Sequence, residues 1–237
     1  MNQSDELKQY EWRNNGDSAV TLCFKQAISE PLSIFINTLK TQLQKQFSVN
    51  AVNNIIPAYQ SLTVCFNPLV ITRDKLMQQI NPMIEQLMVL PPDSPAQKSI
   101  SIPVCYEALF APDLEFVCQH TGLSPAEIIK CHTAPKYLVH MLGFSPGFLY
   151  LGGLDKALYC PRKSVPAKQV APGSVGIGGQ QTGLYPQATP GGWQIIGRTP
   201  LSLFDAQWPF PAIAHPLDTI QFTPINSETF YALSNKD

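Results

Sequence analysis

The sequence predicts an α+β protein in which a small α/β sandwich is followed by a compact β-barrel or sandwich. Helical and strand-like apolar patterns alternate in the first part of the chain. Beyond Lys136, helix signals nearly vanish and short apolar runs are interrupted by proline and glycine. Between the two parts, Pro91-Pro92-Asp93-Ser94-Pro95 breaks both patterns. We therefore expect a linker between domains spanning residues 8–92 and 98–237.

The N-terminal elements follow a strand–helix–strand–strand–helix order. Ala19–Phe24 is rich in β-forming residues, and Pro31 opens a helix that Ser29 caps. Residues 55–66 predict a hairpin, and residues 72–90 predict a second amphipathic helix. This order is typical of a small α+β sandwich.

The C-terminal part begins with a strand over residues 99–106, where polar and apolar side chains alternate. Two short helices follow, over residues 113–120 and 124–131, and Ser124 with Glu127 forms a capping box for the second. The later apolar runs predict the strands of the barrel or sandwich. They cover residues 137–142, 173–177, 192–196, 201–204 and 219–222.

Composition excludes several classes of function. The 237 residues carry a net charge of -1 and a pI near 6.4, which argues against nucleic acid or an anionic membrane surface as partner. No apolar run approaches the length of a membrane span, and the polar N-terminus lacks the apolar core of a signal peptide. We expect a cytoplasmic protein. Its six scattered cysteines show no metal-binding spacing, and no metal site is predicted.

One segment of the chain differs from the rest. Residues 143–197 hold 12 of the 14 glycines, and residues 156–204 contain no Asp or Glu. Glycine lets the backbone approach a ligand closely, and unopposed cations attract a carboxylate or a phosphate. The cations of the acid-free stretch are Lys156, Arg162, Lys163, Lys168 and Arg198.

The glycine run from Gly173 to Gly183 permits two interpretations. It has no Gly-Lys-Ser/Thr of a phosphate-binding loop, and Gln181 breaks the frame of a dinucleotide-binding motif. In one interpretation, the backbone amides of Gly176, Gly178 and Gly179 face an anion. In the other, which the spacing favours slightly, the glycines mark tight barrel turns and bulges.

Arg162 and Arg198 are the sharper candidates for anion binding, because no acid lies near them in sequence. A partly buried guanidinium needs an anionic partner. That partner is either a ligand carboxylate or a distant acid. The acids considered are Asp155, Asp205 and Asp218.

His132 is the histidine nominated for proton chemistry, with a structural hydrogen-bonding role as the stronger alternative. Tyr185, Trp193 and Phe148 are candidates for the floor of a pocket, although aromatic residues of a barrel are more often core.

Several long strings resemble the KipI / allophanate hydrolase subunit 1 family. They are Gly143-Phe-Ser-Pro-Gly-Phe-Leu-Tyr-Leu-Gly-Gly-Leu154, the run from Gly173 to Pro186, and Pro190-Gly-Gly-Trp-Gln-Ile-Ile-Gly-Arg-Thr-Pro-Leu201. The best-defined members of that family are B subunits of the prokaryotic ATP-dependent 5-oxoprolinase. The family pattern is kept at Arg162, Gln180, Thr182 and Arg198, and Ala167 departs from it where a second Pro-Arg is usual.

The resemblance implies a cyclophilin-like β-barrel in the C-terminal domain and a hydrolase subunit that acts on a small molecule. The implied reaction is cleavage of 5-oxo-L-proline to L-glutamate with ATP hydrolysis, together with the A and C subunits, the latter from the allophanate hydrolase subunit 2 family. In this scheme His132, Arg162 and Arg198 are the catalytic candidates. The expected substrate- and anion-binding residues are Gly176, Gly178, Gly179, Gln180, Thr182, Tyr185 and Trp193.

The missing carboxylates of the acid-free stretch imply that a partner supplies the ligands of Mg²⁺ and the general base. The resemblance implies ATP as a co-substrate and no tightly bound cofactor. With metal ligands and base expected from a partner, we expect the isolated chain to be inactive. Two alternatives remain within the family. One is a KipI-like inhibitor of a sensor histidine kinase, and the other is a carboxyltransferase or allophanate-hydrolase-related subunit of urea or amide metabolism.

Overall fold

The structure is a computed structural model that describes residues 9–89 and 98–234. The chain divides into two compact units, residues 1–96 and residues 97–237. The predicted α+β class, a small sandwich followed by a closed barrel, is confirmed. The expected linker at residues 91–95 lies outside the described residues, so the domain limits 8–92 and 98–237 stay predictions.

The first unit contains a four-stranded antiparallel sheet with the strand order β1-β2-β4-β3. The strands are β1 (Tyr10–Asn14), β2 (Ala19–Phe24), β3 (Val52–Pro57) and β4 (Ser61–Phe66). Strand β1 is absent from the expected order. Its sequence Tyr-Glu-Trp-Arg-Asn carries no buried apolar alternation, because β1 is an edge strand that pairs only with β2.

Two helices supply the rest of the first core, α1 (Glu30–Gln46) and α2 (Arg73–Val89). The predicted cap of α1 is confirmed, since the side chain of Ser29 accepts a hydrogen bond from the backbone of Leu32. Alternate residues of β2 and β4 are buried, as are the apolar stripes of both helices. This core is a cluster of its own within the first unit.

Seven strands of the second unit form a closed barrel. They are β5 (Ser99–Cys105), β6 (Tyr137–Leu142), β7 (Leu149–Gly152), β9 (Ser174–Gly178), β10 (Gln181–Leu184), β12 (Gln194–Arg198) and β13 (Thr219–Ile225). The order around the barrel is β10-β7-β6-β13-β5-β12-β9, in which β13 and β5 are parallel and the other pairs antiparallel. A separate two-stranded ribbon joins β8 (Ala167–Val170) to β11 (Thr189–Gly191).

The α-helices in the described part of the second unit are α3 (Leu114–Thr121), α4 (Pro125–Thr133) and α5 (Ser227–Ser234), and a short 3-10 helix covers Lys156–Leu158. The capping box of Ser124 and Glu127 is confirmed.

Two expectations about the second unit need correction. Helix α5 was not expected, and its Phe230 is buried against Phe110 from a distant part of the chain. The run at residues 201–204 is not a strand, and only Phe204 within it forms an isolated bridge.

Candidate functional site

A cleft of about 360 Å³ lies in the barrel unit, beside an aromatic cluster that is separate from the main barrel core. Its apolar walls are formed by Phe144, Phe148, Tyr150, Tyr185 and Trp193, and its cations are Arg162 and Lys163. The structure thus brings together Arg162, Tyr185 and Trp193, three of the residues nominated from the sequence. An apolar cleft with a few convergent polar groups is the usual form of a small-molecule site.

Phe148 is the centre of the aromatic walls. Its ring centroid lies 4.6 Å from that of Tyr150, 4.8 Å from that of Tyr185 and 5.5 Å from that of Trp193. The planes of Tyr185 and Trp193 stand at 88° and 89° to it, the edge-to-face geometry that ring quadrupoles favour. Because Phe148, Tyr185 and Trp193 are buried, these walls are preformed.

The glycines of β9 and β10 make room for the indole of Trp193. A Cβ on Gly178 would lie 2.6 Å from the indole ring, one on Gly183 would lie 2.9 Å from it, and one on Gly176 would lie 3.1 Å from Trp193 Cβ. Gly176 and Gly183 face each other across the pair of strands. The three glycines therefore form a flat surface on which the indole rests, and glycine is required here for close approach.

The amides of these glycines are not directed at a ligand. Gly176 and Gly178 lie within β9, which pairs with β10 on one side and β12 on the other. The amide of Gly179 donates to the carbonyl of Cys160 at 2.7 Å. An anion cradle built from these amides, the first interpretation of the glycine run, therefore does not fit the geometry, and close packing does.

Gly179 and Gln180 form the turn of the β9–β10 hairpin. Gly179 has a φ of +68°, which the first central residue of a type II′ turn requires. A Cβ there would meet nothing within 4 Å, so its glycine serves the turn and not packing. Gln180 is exposed and does not line the cleft.

The two cations of the cleft are in different electrostatic states. The Lys163 ammonium lies 2.6 Å from a carboxylate oxygen of Asp113, and both side chains are largely buried. Asp113 also accepts a hydrogen bond from the backbone amide of Ile195 at 2.7 Å, which fixes it in place. Arg162 is exposed, and no carboxylate among the described residues forms an ion pair with it. The cleft therefore presents about one uncompensated positive charge.

The acids considered as partners of the arginines are engaged elsewhere. Asp155 and Asp205 accept hydrogen bonds from backbone amides two residues further along the chain. Asp218 accepts from the amides of Lys98 and His215. Asp155 and Asp205 thus each serve their own loop, Asp218 joins two segments that are distant in sequence, and none of the three pairs with Arg162.

The tyrosines of the cleft are neutral hydrogen-bonding groups at pH 7. Burial raises the pKa of Tyr185 to about 12, against smaller opposing effects of a hydrogen bond with the Trp193 backbone and of the Arg162 charge. Burial also raises the pKa of Tyr150, again with Arg162 opposing. Both phenols keep their protons, so the charge of the cleft is that of the arginine.

Backbone-directed hydrogen bonds place Arg162 beside Trp193. The buried side chain of Gln194 donates to the carbonyl of Pro161 at 3.0 Å, and the amide of Lys163 donates to the carbonyl of Gly192 at 2.7 Å. These contacts flank both residues, and the guanidinium carbon of Arg162 lies 5.7 Å from the centroid of the indole ring. At this distance the cation is attracted by the ring face.

Sequence reasoning missed several residues of this site. Tyr150 carried a signal, because it is two residues from Phe148 in an apolar run and so shares a strand face with it. The sequence around Phe144 contains no signal that distinguishes this residue from a core phenylalanine. Asp113 and Gln194 act through partners distant in sequence, which no local pattern reveals.

His132 and Thr182, both nominated from the sequence, lie inside the barrel core and have no exposed surface. Burial lowers the pKa of His132 to about 3, so the imidazole is neutral at pH 7. Its ring stacks on Phe222 at a centroid distance of 4.6 Å. This geometry fits the structural alternative for His132 and keeps it away from any ligand in the cleft.

A chain of hydrogen bonds fixes the tautomer of His132. The hydroxyl of Thr182 donates its proton to the carbonyl of Gly176 at 3.1 Å, so toward the ring it is an acceptor. His132 Nε2, 2.9 Å away, therefore carries the ring proton. Nδ1 is then the acceptor, and the hydroxyl of Tyr106 donates to it at 2.8 Å.

Arg198 is not at the cleft. Its Nε donates to the carbonyl of Pro172 at 2.7 Å, and its guanidinium lies 5.7 Å from the centroid of the Phe230 ring. These contacts tie the end of β12 to helix α5. Of the two candidate arginines, the structure places only Arg162 among the cleft residues.

Within residues 9–89 and 98–234, no group of three or more His, Cys, Asp or Glu side chains is arranged to hold a metal ion. Among the helices of the described ranges, none has both the length and the apolar character needed to cross a bilayer.

Residues 10–214 match the family described as carboxyltransferase domain, subdomain C and D. The chain is 38% identical to the B subunit of 5-oxoprolinase from Bacillus subtilis (strain 168), over 94% of this chain and 96% of the relative. It is 44% identical to the B subunit of 5-oxoprolinase from Escherichia coli O157:H7, over 71% of this chain and 76% of the relative. The crystal structure of Kluyveromyces lactis urea carboxylase has the same fold, with a TM-score of 0.79 at 19% identity over 94% of this chain and 22% of that longer one.

Proposed function

The chain belongs to the carboxyltransferase C and D family, together with the B subunits of 5-oxoprolinase, and from this membership we propose that it acts as one subunit of a 5-oxoprolinase complex. The complex would open 5-oxo-L-proline to L-glutamate with hydrolysis of ATP. The assembly would include the A and C subunits and would work in the cytoplasm.

The observation that carries the proposal is the unpaired guanidinium of Arg162 over the Trp193 ring in an otherwise neutral cleft. 5-Oxoproline is a small lactam with one carboxylate, so its single negative charge matches the single free cation. The protonated phenols of Tyr150 and Tyr185 add neutral hydrogen-bonding groups to the same walls. Arg162 would hold the carboxylate, and the aromatic rings would hold the lactam.

The cleft does not fit a magnesium–nucleotide complex. Magnesium prefers carboxylate and phosphate oxygens, and no Asp or Glu is among the described residues that line the cleft. The carboxylate of Asp113, which pairs with Lys163, is also bound to a backbone amide. In the proposed reaction ATP supplies the phosphoryl group that activates the poorly electrophilic lactam. Its metal ligands and the general base would come from the partner chains, and this chain by itself would be inactive.

The test is glutamate formation from 5-oxoproline and ATP by the chain co-purified with homologues of the A and C subunits. Losing a charged hydrogen bond to the substrate carboxylate in Arg162→Ala should raise the KM for 5-oxoproline by about 10- to 100-fold. Lys168→Ala is the matched control, because it removes an exposed cation of the same acid-free stretch that does not line the cleft.

Two results would contradict the proposal in different ways. Absence of glutamate formation by the wild-type assembly would remove the 5-oxoprolinase function itself. Unchanged kinetics in Arg162→Ala, with an active wild type, would remove the cleft as the substrate site and leave the role in the complex standing.

A further inference from the structure

Phe144 has an unusual backbone conformation for a bulky residue. It is one of two non-glycine residues with positive φ in the described ranges, at +67°. The amide of Ser145 donates to the carbonyl of Gly143 at 2.8 Å, across Phe144, which is the hydrogen bond of a γ-turn. With positive φ at its centre this turn is the rare, strained form, and a side chain there costs free energy.

The surrounding loop holds Phe144 in this conformation. The amide of Gly143 donates to the carbonyl of Phe148 at 3.3 Å, and the amide of Phe148 donates to the carbonyl of Ser145 at 3.1 Å. Gly147, with a φ of +81°, packs so closely on Phe204 that a Cβ would lie 2.6 Å from the side chain. The loop between β6 and β7 is therefore anchored on both sides of the strained residue.

The strain is not balanced by burial of the Phe144 ring. The side chain is 63% exposed, yet it lines the cleft and contacts two of its walls. Its centroid lies 5.6 Å from that of Phe148 and 6.3 Å from that of Tyr185. A large apolar ring held in the open at the edge of a ligand cleft is placed for contact with something other than its own core.

The ring of Phe144 is close to parallel with the indole of Trp193. The planes of Phe148 and Tyr185 are perpendicular to each other at 88°. Phe144 stands at 75° and 86° to these two planes, and Trp193 at 89° and 87°. The rings of Phe144 and Trp193 are thus each nearly perpendicular to both Phe148 and Tyr185. Because Phe148 and Tyr185 are perpendicular to each other, the planes of Phe144 and Trp193 must be nearly parallel.

The two rings line the same cleft, so a ligand bound there lies against both of them. Each centroid lies within 5.6 Å of that of Phe148, which limits their separation to about 11 Å. A flat ring stacked on both faces needs about 7 Å, since carbon atoms pack at about 3.5 Å. We call the space between the rings of Phe144 and Trp193 the aromatic slot.

We propose that the aromatic slot selects the substrate by shape: a flat ring inserts between Phe144 and Trp193 while its carboxylate reaches Arg162. Phe144 is then a specificity-determining residue, and its strained turn keeps the slot open before the ligand arrives. This inference rests on the proposed function, in which the ring is the lactam of 5-oxoproline, whose amide group and the two carbons attached to it lie in one plane. Arg162 lies over the same indole, so the charge and the stacking face belong to one site.

An adenine nucleotide also carries a flat ring and negative charge, and the charges of the site argue against it. A triphosphate needs several cations or a metal held by carboxylates. Here Lys163 is already bound to Asp113, which leaves Arg162 for a ligand. A flat ring with one carboxylate therefore fits the slot better than a nucleotide does.

Direct binding tests the slot without the reaction. Pyrrole-2-carboxylate, a flat ring with one carboxylate, is titrated into the full chain by calorimetry, and cyclopentanecarboxylate serves as the puckered ligand of equal charge. Loss of one stacking face in Phe144→Leu should weaken pyrrole-2-carboxylate by about three- to tenfold. Phe144→Tyr keeps the flat face and should bind as the wild type does.

Two further variants separate stacking from folding. Phe144→Gly suits the positive φ, so the chain should keep its Tm while losing the same three- to tenfold in affinity. Phe116→Leu removes an exposed ring that stacks on His120 and does not line the cleft, and it should change nothing. In the active assembly, Phe144→Leu and Phe144→Gly should raise the KM for 5-oxoproline and leave that for ATP unchanged.

The slot is refuted if Phe144→Leu and Phe144→Gly both bind pyrrole-2-carboxylate like the wild type, or if the two ligands bind equally well. A rise in the KM for ATP instead of 5-oxoproline would assign the slot to the nucleotide and overturn the proposal. An assembly without 5-oxoprolinase activity contradicts only the proposed function, because selective binding of the flat ring and its loss in the variants would still support the slot.

Discussion

The guanidinium carbon of Arg162 lies 5.7 Å from the centroid of the Trp193 indole ring. The same indole rests on the glycine surface formed by Gly176, Gly178 and Gly183. The glycines of the acid-free segment therefore act on the ligand indirectly, through the ring that they seat. The contact between the Arg162 cation and the Trp193 indole thus connects the high glycine content of this segment with its unopposed cations.

Arg162→Lys should impair the site although it keeps the charge. Lysine lacks the planar fork that holds a carboxylate with two hydrogen bonds and that packs flat on an indole. We expect a KM for 5-oxoproline about three- to tenfold above that of the wild type, between wild type and Arg162→Ala. Steady-state kinetics of the assembly measure it, and a Lys variant equal to the wild type would show that charge alone is sufficient.

Comparing Gly178→Ala with Gly179→Ala separates the stability cost of a steric clash with Trp193 from the stability cost of backbone strain. A Cβ on Gly178 would lie 2.6 Å from the indole, so we expect Trp193 to be displaced and stability to fall by about 1–3 kcal/mol. A Cβ on Gly179 would meet nothing within 4 Å, so only the cost of its positive φ applies, about 1 kcal/mol.

The ligand distinguishes the two glycine variants more clearly than stability does. Affinity for pyrrole-2-carboxylate should fall in Gly178→Ala and remain in Gly179→Ala, because only Gly178 contacts the stacking ring. Calorimetric titration measures the affinity of each variant for the ligand, and urea denaturation measures its free energy of unfolding. Equal losses of affinity would show that the glycine surface does not position Trp193.

The parts of the fold that the sequence predicted well are those with local causes. Helix α4 was predicted with its cap because Ser124 and Glu127 satisfy each other within one turn. Strand β1 and helix α5 were missed because tertiary contacts stabilise them, the pairing of β1 with β2 and the packing of Phe230 on Phe110. Local patterns do not contain such partners.

The same distinction holds for the candidate site. Arg162, Tyr185 and Trp193 were nominated from charge and residue type, but their meeting in one cleft depends on the closure of the barrel. Histidine is a common acid–base catalyst, and only the burial of the His132 side chain shows that it is a core residue. The charge state of the cleft depends on Asp113, which is 50 positions from Lys163.

Asp113→Ala should destabilise the barrel unit more than Lys163→Met does. Removing the carboxylate leaves both the backbone amide of Ile195 and the Lys163 ammonium without their acceptor, at a cost of about 1–3 kcal/mol. Lys163→Met keeps the bond to Ile195 and much of the apolar stem. Urea denaturation of the two variants tests this order, and a larger loss in Lys163→Met would contradict it.

Neutral His132 should make the protein less stable in mild acid. The pKa of the imidazole is lowered from 6.5 to about 3 by burial, so between these values the unfolded chain binds a proton that the folded chain does not. Stability from this group is complete above pH 6.5 and is lost as the pH falls toward 3. The loss between pH 7.5 and pH 5 should be about 2 kcal/mol.

The comparison of His132→Gln with the wild type isolates this contribution. The variant should be less stable at pH 7.5, because the hydrogen bonds from Tyr106 and to Thr182 are disturbed, but its stability should fall less between pH 7.5 and pH 5. A residual slope is expected, since burial also lowers the pKa of His140. An unchanged slope in His132→Gln would mean that His132 is not the group that takes up the proton on unfolding.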